Sequence, residues 1–421
     1  MAHIFQRIVD IRHFRKVSQR KSNKEPAADT LVCVHDKFTY AGRSTYLQIN
    51  LKTIWHNIQS LQTKCASHTK VIAVIKANAY GHGSVGVAKY LNKCGVFNFA
   101  VATTYEGKEL RKHGVVGFIQ VFGNCVAEEI DTILEYNLTP TVTNLKFIEQ
   151  LAAKLTERKT KTSLLRKCIN DNVCKFKPSV VIKIDTGMSR NGCQCEELSS
   201  FMNACQTHKI PVHSIMTHFA QSWDDLEFTQ QQLNRFLEVT QPYRLNGVKV
   251  HAANSGAIMK GFAIDLDYVR PGGAIYGLAP DSTSDAYSEM EALGLRPVLS
   301  WIAKPCLIKS IQTEKKSGLL KPERIAIFSF GFADGYSRLL SGKGVLTDMK
   351  GKIYKIVDRV AMDTVAVRVD DSVTVDTPFY VLKDDYSSPN SASNIGDMTD
   401  NIADAVVTSL SLRLPRVYVT H

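Results

Sequence analysis

Short apolar runs, each followed by a stretch compatible with a helix, repeat along the chain between residues 70 and 280. The runs lack the alternation of a half-exposed strand, which is typical of parallel strands covered by helices on both faces. The eight runs are VIAVI (71–75), FNFAVA (97–102), GFIQVF (117–122), LTPTV (138–142), SVVIKI (179–184), VHSIMT (212–217), VKVHAA (248–253) and DYVRPGGAIYG (267–277). Eight such units predict an α/β protein built on a TIM-like (β/α)8 barrel.

The segment that follows the first run argues against the other common parallel fold. An open doubly wound sheet that binds nucleotides carries a glycine-rich phosphate turn after its first strand. The segment here, KANAYGHG (76–83), is neither GxGxxG nor a P-loop. The barrel is therefore the better prediction.

The pattern changes from about Leu295, where alternating runs are separated by Gly, Pro and Asp turns. Such runs predict a C-terminal β-rich domain, to which YLQINL (46–51) could contribute a strand. A basic stretch without clear periodicity, 160–178, is predicted to be a surface insertion. The predicted organisation is a basic N-terminal extension (1–44), a barrel (45–290) and a C-terminal β-domain (291–421).

The composition is that of an ordinary soluble globular protein, with 44% hydrophobic and 22% charged residues among 421. This length exceeds a typical single core and agrees with two domains. No window approaches the ~20 apolar residues that a membrane-spanning helix needs, so we predict no membrane association. The ten cysteines form no CxxC pair and have no zinc-ligand spacing. We therefore predict reduced thiols, a cytoplasmic location and no metal site.

Positive charge is concentrated at the start of the chain. Of the formal net charge of +12, residues 1–24 contribute +6, from seven Lys or Arg against Asp10 alone. An arginine-rich, acid-poor start is typical of organelle transit peptides. A solvated extension with no targeting function would carry the same charges. Both interpretations stay open. No aromatic-interleaved basic patch accompanies the charge, so no nucleic-acid partner is predicted.

Polar residues follow several of the predicted strands, at the end of the barrel where catalytic groups of such folds lie. Lys76 ends a five-residue apolar run. A lysine there must lose its proton, pair with an opposite charge or form a covalent bond. The alternative is that its aliphatic stem lies along the apolar surface while its amine reaches water. Asn254 and Ser255 could equally cap a helix, and His218 could be a satisfied rim histidine. The full set is Lys76, Lys183, Asp185, Arg190, His218, Asn254, Ser255 and Arg270.

Eight sequence blocks, in order from about residue 45 to residue 420, resemble the alanine racemase family. AVIKANAYGHG (73–83) is similar to the pyridoxal-phosphate lysine motif of that family. The other blocks are KIDTGMSRNG (183–192), THFAQSW (217–223), HAANSGA (251–257), VRPGGAIYGLAP (269–280), GFADGY (331–336), DRVAMD (358–363) and LRLPR (412–416). The resemblance implies a pyridoxal 5′-phosphate enzyme that acts on a small amino acid. It also implies a homodimer in which each barrel mouth is covered by the partner's β-domain.

The resemblance also implies a role for each residue of the cofactor site. Lys76 would bind the cofactor covalently and, once released by substrate, act as a base on one face of the substrate Cα. Arg270 would face the pyridine nitrogen, and His218 would pack on the ring and bond Arg270. The implied phosphate donors and further cofactor contacts are Tyr80, Asn254, Ser255, Gly272, Gly273 and Tyr276, of which Tyr276 also suits a core position.

For the substrate, the resemblance implies that Arg190 and the backbone N–H of Met362 hold the carboxylate. Lys183 matches a lysine that is often carbamylated in this family and would brace that arginine. Asp363 is implied to be structural. Without the surrounding block, Met362 would suit the core equally well.

The β-domain side departs from the family in three places. Racemisation needs proton transfer on both faces of Cα, and the family supplies the second base from a Tyr in the turn G-Tyr-A-D-G of the partner subunit. This sequence has Phe332 there, which cannot transfer a proton, and we expect Tyr336 to point elsewhere. Leu412 replaces a Tyr that contacts the phosphate in the family. The segment between Ile308 and Arg324 is shorter and lacks the block Y-G-x-T-Y.

Three functions stay open on this basis. The first is an alanine racemase that interconverts L-alanine and D-alanine. Either Tyr336, another group or water serves the second face of Cα, or the activity is impaired by the loss of the tyrosine base. The second is a pyridoxal-phosphate enzyme of altered outcome, such as one-sided exchange, transamination or decarboxylation, for which Lys76 alone suffices. The third is a non-catalytic homologue that binds the cofactor. Because Lys76, Arg190, His218 and Arg270 are all kept, we place the racemase first.

Overall fold

A computed structural model describes residues 42–165, 178–280, 284–314 and 320–420. They begin with strand β1 (Thr45–Asn50) and helix α1 (Leu51–Gln62), and a parallel sheet follows. Its strands are β2 (Lys70–Val71), β3 (Ala73–Val74), β4 (Asn98–Val101), β5 (Phe118–Asn124), β6 (Thr139–Val142), β7 (Val180–Lys183), β8 (Val212–Met216), β9 (Lys249–His251) and β10 (Tyr268–Val269). They lie in the order β2-β10-β9-β8-β7-β6-β5-β4-β3, which confirms the predicted barrel.

The first strand of the barrel is interrupted. The sequence predicts one strand over 71–75, whereas the structure has β2 and β3 separated by Ile72. β2 pairs with β10 and β3 with β4, so this run joins both ends of the sheet and the strand order returns on itself. The prediction of one continuous strand is wrong because the run changes neighbours. The N–H of Ile72 donates to Val269 O at 2.8 Å, and the N–H of Ile75 donates to Ala100 O at 2.8 Å.

Helices follow the strands of the barrel, as the repeat predicts. They are α2 (Lys76–Tyr80), α3 (Ser84–Lys93), α4 (Thr104–Lys112), α5 (Ile130–Glu135), α6 (Leu145–Leu165), α7 (Leu198–Thr207), α8 (Leu226–Leu245), α9 (Ser255–Lys260) and α10 (Ser284–Ala292). Side-chain caps set several starts. Asn254 Oδ1 accepts from the N–H of Ala257 at 3.0 Å, so Asn254 has the capping role that the sequence left open.

A second sheet forms the C-terminal β-domain. Its further strands are β11 (Leu299–Ala303), β12 (Pro305–Glu314), β13 (Leu320–Phe328), β14 (Val345–Asp348), β15 (Ile353–Val357), β16 (Val365–Arg368), β17 (Phe379–Leu382) and β18 (Arg416–Val419), with helices α11 (Ala392–Met398) and α12 (Ala403–Thr408). The order is β12-β13-β16-β15-β14-β17-β11-β1-β18. β1 pairs with β11 and β18, which confirms that 46–51 contributes a strand here. The rings of Trp301, Phe328, Phe330 and Phe379 are buried in its core.

The two domains meet where α12 packs against the end of α2. Gly81 follows α2 with φ of 82°, and a Cβ there would lie 2.0 Å from Val407 O of α12. The guanidinium of Arg416 donates to Gly81 O at 3.2 and 3.1 Å, and to Leu410 O at 2.9 Å. The segment that carries Lys76 is therefore fixed to the β-domain of its own chain.

Two predicted segments fall mainly outside the described residues. They are the basic N-terminal extension as far as residue 41 and the middle of the predicted insertion, 166–177. In the described ranges, no helix combines the length and the apolar character needed to cross a membrane.

We expect Gly81→Ala to destabilise the protein more than Gly95→Ala. Both glycines have positive φ, 82° and 90°, so each alanine should cost roughly 1–2 kcal/mol in backbone strain. Only the Cβ at position 81 also collides with backbone, since nothing lies within 4 Å of one at position 95. Chemical denaturation of both variants measures the difference, and equal losses would contradict a tight contact between α2 and α12.

Candidate active site

The segment that follows Lys76 is a left-handed turn rather than an ordinary helix. Ala77, Asn78, Ala79 and Tyr80 have φ of 51°, 54°, 55° and 53°. For residues other than glycine this conformation costs roughly 1–2 kcal/mol each, so it persists only where its surroundings hold it. The helix that the sequence predicts after the first strand begins only at α3.

Glu106, in the first turn of α4, holds the start of this turn. Its Oε1 accepts from the N–H of Ala77 at 2.6 Å. Its Oε2 accepts from the N–H of Ala102 at 2.7 Å and of Thr103 at 3.1 Å. One carboxylate thus joins the turn after β3 to the loop after β4. The sequence shows Thr103 and Glu106 at capping-box spacing, but not that the carboxylate also reaches Ala77.

Asn78 and His82 hold the end of the turn. Asn78 accepts from the N–H of Gly83 at its carbonyl, 2.8 Å, and from the N–H of Ser84 at Oδ1, 2.9 Å. His82 Nδ1 donates to the carbonyls of Ala79 and Tyr80, both at 2.9 Å. Burial lowers the pKa of His82 to about 4, so its ring is neutral with the proton on Nδ1. The turn is therefore fixed at both ends.

Lys76 and Tyr80 lie at the two ends of the left-handed turn. Lys76 Nζ lies 5.8 Å from the centre of the Tyr80 ring. Among the described residues it makes neither a hydrogen bond nor an ion pair. A partly buried lysine without a partner at the end of a barrel strand is chemically available, which agrees with its predicted covalent use.

Hydrogen-bond donors surround Gly272 and form a cradle for an anion. Ser255 Oγ accepts from the N–H of Gly272 at 2.9 Å and of Ala274 at 3.3 Å, which leaves its own proton to donate. A Cβ at Gly272 would lie 2.4 Å from Tyr80 Oη, so only glycine lets this hydroxyl approach. The Tyr80 hydroxyl and the Gly273 N–H have no partner within the described residues. This donor set suits a phosphate.

Tyr276 supports the cradle from the core. Its ring is fully buried, lies 5.1 Å from the Tyr80 ring and stacks on His82 at 4.6 Å. Its hydroxyl donates to Val74 O at 3.0 Å and is therefore occupied. The structure thus gives Tyr276 the core position that the sequence offered as the alternative to a cofactor contact.

Arg270 is buried, and both terminal nitrogens of its guanidinium group have hydrogen-bond partners. Its Nη2 donates to the carbonyls of Thr217 and Ala252, both at 2.7 Å, and its Nη1 lies 2.7 Å from His251 Nδ1. Burial lowers the pKa of Arg270 to about 9, so it stays charged at neutral pH. The hydrogen bond that the resemblance implied between His218 and Arg270 is absent from these contacts, because His251 takes that place.

His251 is a site residue that the sequence reasoning missed. Burial, with Arg270 next, holds its pKa well below the ordinary value, so the ring is neutral and accepts from Arg270 at Nδ1. Its Nε2 lies 3.0 Å from Ser214 Oγ, which lies 3.2 Å from His213 Nδ1. The only signal in the sequence was a histidine within the apolar run VKVHAA.

His218 lies on the loop after β8, close to the cationic groups of the mouth. Burial lowers its pKa to about 3, and Arg270, Lys183 and Arg190 act in the same direction. The imidazole is therefore neutral. Such a ring can pack on another aromatic system without adding charge to a site already rich in cations.

Lys183 and Arg190 lie at the barrel mouth, on the side where the resemblance implies the substrate carboxylate. Lys183 Nζ donates to Asn191 Oδ1. Burial, followed by Arg190 and Arg270, lowers the pKa of Lys183 to about 8. Asp185 accepts from the N–H of Gly187 at 2.9 Å and of Ser189 at 3.1 Å, so it orders this loop. Arg190 is exposed and free to meet a carboxylate.

Two turns of the β-domain present Phe332 and Met362 to solvent. The N–H of Phe332 donates to Ala361 O and the N–H of Ala333 to Met362 O, both at 3.0 Å. The side chains of Phe332 and Met362 are 39% and 55% exposed. Within the described chain the Met362 N–H has no acceptor, so it can bind one from another molecule. Asp363 is bound to Arg413 at 2.7 Å.

Neither Tyr336 nor Leu412 presents a hydroxyl at the surface of the β-domain. Tyr336 is 3% exposed, with its ring 5.4 Å from Phe330 and 6.0 Å from Trp301 in the β-domain core. Tyr336 therefore points into the core, away from the exposed side chain of Phe332, as expected from the sequence. Leu412 is 59% exposed and offers no hydrogen-bonding group.

Known proteins resemble the chain over most of its length. Residues 49–280 match the family model for the alanine racemase N-terminal domain, and residues 312–418 match that for the C-terminal domain. The alanine racemase of Carboxydothermus hydrogenoformans is 33% identical over 385 residues, which are 90% of this chain and 100% of that protein.

Solved structures agree with the sequence matches. The alanine racemase of Clostridium difficile 630 has a TM-score of 0.77 at 28% identity, covering 90% of this chain and 96% of that one. The Bartonella henselae alanine racemase with covalently bound pyridoxal phosphate has a TM-score of 0.72 at 25% identity, covering 89% and 99%.

The chain has a parallel barrel, a lysine at the carboxyl end of its first strand and a mainly antiparallel β-domain. These features place it in the class of two-domain barrel enzymes that the solved structures represent. Within that class, the chain belongs to the alanine racemase family.

We expect Glu106→Gln to lower the free energy of unfolding by about 1.5–3 kcal/mol, the range for hydrogen bonds to a charged group. The amide would turn an N–H₂ donor toward backbone N–H groups that now meet a carboxylate oxygen. Glu109→Gln is the control, because the Glu109 carboxylate pairs with Lys112 at the surface, 3.1 Å away, and with nothing else among the described residues. Denaturant titration measures both variants. Equal stability of the two would contradict the role of Glu106 in holding the turn.

Proposed function

We propose that this chain is an alanine racemase that interconverts L-alanine and D-alanine and so supplies D-alanine. The observation that carries the proposal is Lys76, unpartnered beside the donor cradle around Gly272, with the buried guanidinium of Arg270 in the same mouth. The family membership supports this reaction over others.

The residues present fit pyridoxal 5′-phosphate. Tyr80, Ser255 and the Gly273 N–H would bind the phosphate, and Lys76 would hold the cofactor covalently. Arg270 would meet the pyridine nitrogen, since its other contacts with His251 and two carbonyls hold it in one orientation. When bound, the cofactor supplies an electron-withdrawing ring that acidifies the α-proton of an attached amino acid.

The chain's own groups account for one half of racemisation. Arg190 and the Met362 N–H would orient the substrate carboxylate, which fixes the faces of Cα. The amine of Lys76 would take or return the proton on one face. Lys183 donates to the Asn191 side chain, next to Arg190 in the chain, and would in this way position Arg190. His218, neutral at physiological pH, would pack on the cofactor ring.

The second face of Cα is where this chain differs from the family pattern. Phe332 keeps the backbone contacts of its turn but has no proton to exchange. A positioned acid or base is typically worth ~10²–10⁴ in rate, so racemisation should be slower by a comparable factor. Phe332 also favours a second candidate function, one-sided exchange at Cα with retained configuration.

A homodimer with a shared site completes the proposal. The exposed side chains of Phe332, Met362 and Leu412 lie on loops of the β-domain, and exposed apolar groups of this size suit an interface. In the dimer these loops would cover the partner's barrel mouth. We also propose a cytoplasmic location, with which the free thiols of the seven described cysteines agree.

Phe332→Tyr should raise inversion of alanine by about ten- to a thousandfold, because it returns a proton donor to the second face. The enzyme, loaded with pyridoxal 5′-phosphate, is incubated with each enantiomer of alanine in D₂O, and both Cα exchange and inversion are followed. Phe332→Leu is the matched control and should not change the ratio of inversion to exchange. Wild-type inversion as fast as that of the tyrosine variant would show that another group serves the second face.

Mixed dimers test the shared site. Lys76→Ala lacks the base, and Met362→Pro lacks the backbone N–H proposed to bind the substrate carboxylate. Each should lose Cα exchange alone, whereas Met362→Ala keeps the N–H and should retain most of it. Co-refolding the two inactive variants should restore exchange, because half of the sites in a mixed dimer combine an intact Lys76 with an intact Met362. Absence of any recovery in a verified mixed dimer would contradict a site shared between subunits.

A further inference from the structure

A largely buried carboxyl group lies at the anion cradle, and one of its oxygens has no hydrogen-bond partner among the described residues. Asp404 is in the first turn of α12, the helix that packs on α2. Its Oδ1 is shielded from solvent and makes no hydrogen bond within the part of the chain that the structure describes. A Cβ at Gly273 would lie 3.2 Å from this oxygen, so Asp404 occupies the space that a side chain at 273 would take.

Asp404 therefore adjoins the same groups as the proposed phosphate site. The N–H of Gly273, which has no acceptor among the described residues, lies there. The charge of Asp404 adds to the burial that raises the pKa of Tyr80, and Lys76 acts to lower the pKa of Asp404. None of the mechanistic steps above uses this carboxyl group. An unpartnered buried carboxyl is costly, so it calls for a ligand that is absent from the isolated chain.

Resting on the proposed function, we propose that Asp404 is a further cofactor-binding residue, whose protonated carboxyl group donates a hydrogen bond to the phosphate of pyridoxal 5′-phosphate. It would supply the hydrogen bond that Leu412 cannot. A neutral carboxyl is the only form that can donate, and an ionised one would repel the phosphate.

The electrostatics of the pocket agree with the neutral form. Burial raises the pKa of Asp404 to about 6, although Lys76 opposes the shift. A dianionic phosphate beside it would raise this pKa further, because like charges disfavour ionisation. Buried carboxylic acids kept neutral in order to donate hydrogen bonds are an established device of enzyme sites.

The other titratable groups around α12 do not neutralise Asp404. Lys76 and Tyr80 face it from α2, and the pKa of Tyr80 is raised by burial, so its hydroxyl stays protonated. Asp397 of α11 is exposed. Tyr276 is bound to Val74 O, and the Arg416 guanidinium is bound to backbone carbonyls.

The sign of the pH dependence follows from these shifts. Below about pH 6 the carboxyl is protonated before the ligand arrives, so binding requires no proton from solvent. Above the free-state pKa, binding must take up one proton. The affinity should then fall about tenfold for each pH unit, until the pH exceeds the pKa in the complex.

The test uses pyridoxamine 5′-phosphate, which cannot form a covalent bond with Lys76. Its affinity for the full chain is measured by calorimetry from pH 7 to 9, in two buffers of different ionisation enthalpy. Compared with Asp404→Asn, which keeps a neutral donor, the wild type should lose about tenfold more affinity per pH unit and take up about one more proton. Asp397→Asn, on the neighbouring helix, should behave as wild type.

Pyridoxamine without phosphate is the ligand control, because its binding should not distinguish wild type from Asp404→Asn. In the wild type alone, proton uptake with the phosphorylated ligand and none with the other supports the proposal even if a variant misfolds. Equal pH dependence and proton uptake in wild type and Asp404→Asn would overturn it. Asp404 would then be an ionised carboxylate whose negative charge balances that of Lys76. Failure of the wild type to bind either pyridoxal 5′-phosphate or pyridoxamine 5′-phosphate would overturn the proposed function as well.

Discussion

The carboxylate of Glu106 and the left-handed turn that it holds determine where Lys76 lies. Four successive residues with positive φ represent several kcal/mol of unfavourable backbone conformation. Charge-assisted hydrogen bonds to Ala77, Ala102 and Thr103, together with the contacts of Asn78 and His82, offset it. Because this turn also ends at Gly81 against α12, the same few residues place Lys76 and dock the β-domain on the barrel. Catalytic geometry and domain packing therefore depend on one local conformation.

The mouth that this turn builds is a concentration of positive charge. Lys76, Lys183, Arg190 and Arg270 lie near enough to influence the same imidazole, that of His218. The protein relieves part of the repulsion by burial, which keeps His218 and His251 neutral and lowers the pKa of Lys183 to about 8. What remains is a group of cationic side chains whose field favours anionic ligands. A phosphate and an amino-acid carboxylate are the two that the donors on either side fit.

Much of this arrangement could be predicted from the sequence, because the signals were local. Continuous apolar runs gave the barrel, and 46–51 was identified as a strand of the second sheet. Contacts distant in sequence could not be predicted in the same way. Glu106 reaches Ala77 across 29 residues, and Asp404 meets Gly273 only because α12 packs on α2. The interruption at Ile72 depends on which neighbours the barrel gives each half of the run.

The turn around Phe332 is held by contacts that do not depend on its exposed side chain. Its shape is fixed by the buried carboxylate of Asp334, which accepts from Arg43 at 2.7 and 3.1 Å and from the N–H of Gly331 at 3.1 Å. None of these bonds involves the side chain at 332, which points to solvent. A side chain at 332 can therefore change without breaking any of the hydrogen bonds that shape the turn. The backbone fold is thus compatible with either residue type there, and only the chemistry of the side chains around Cα bears on whether a second base is present.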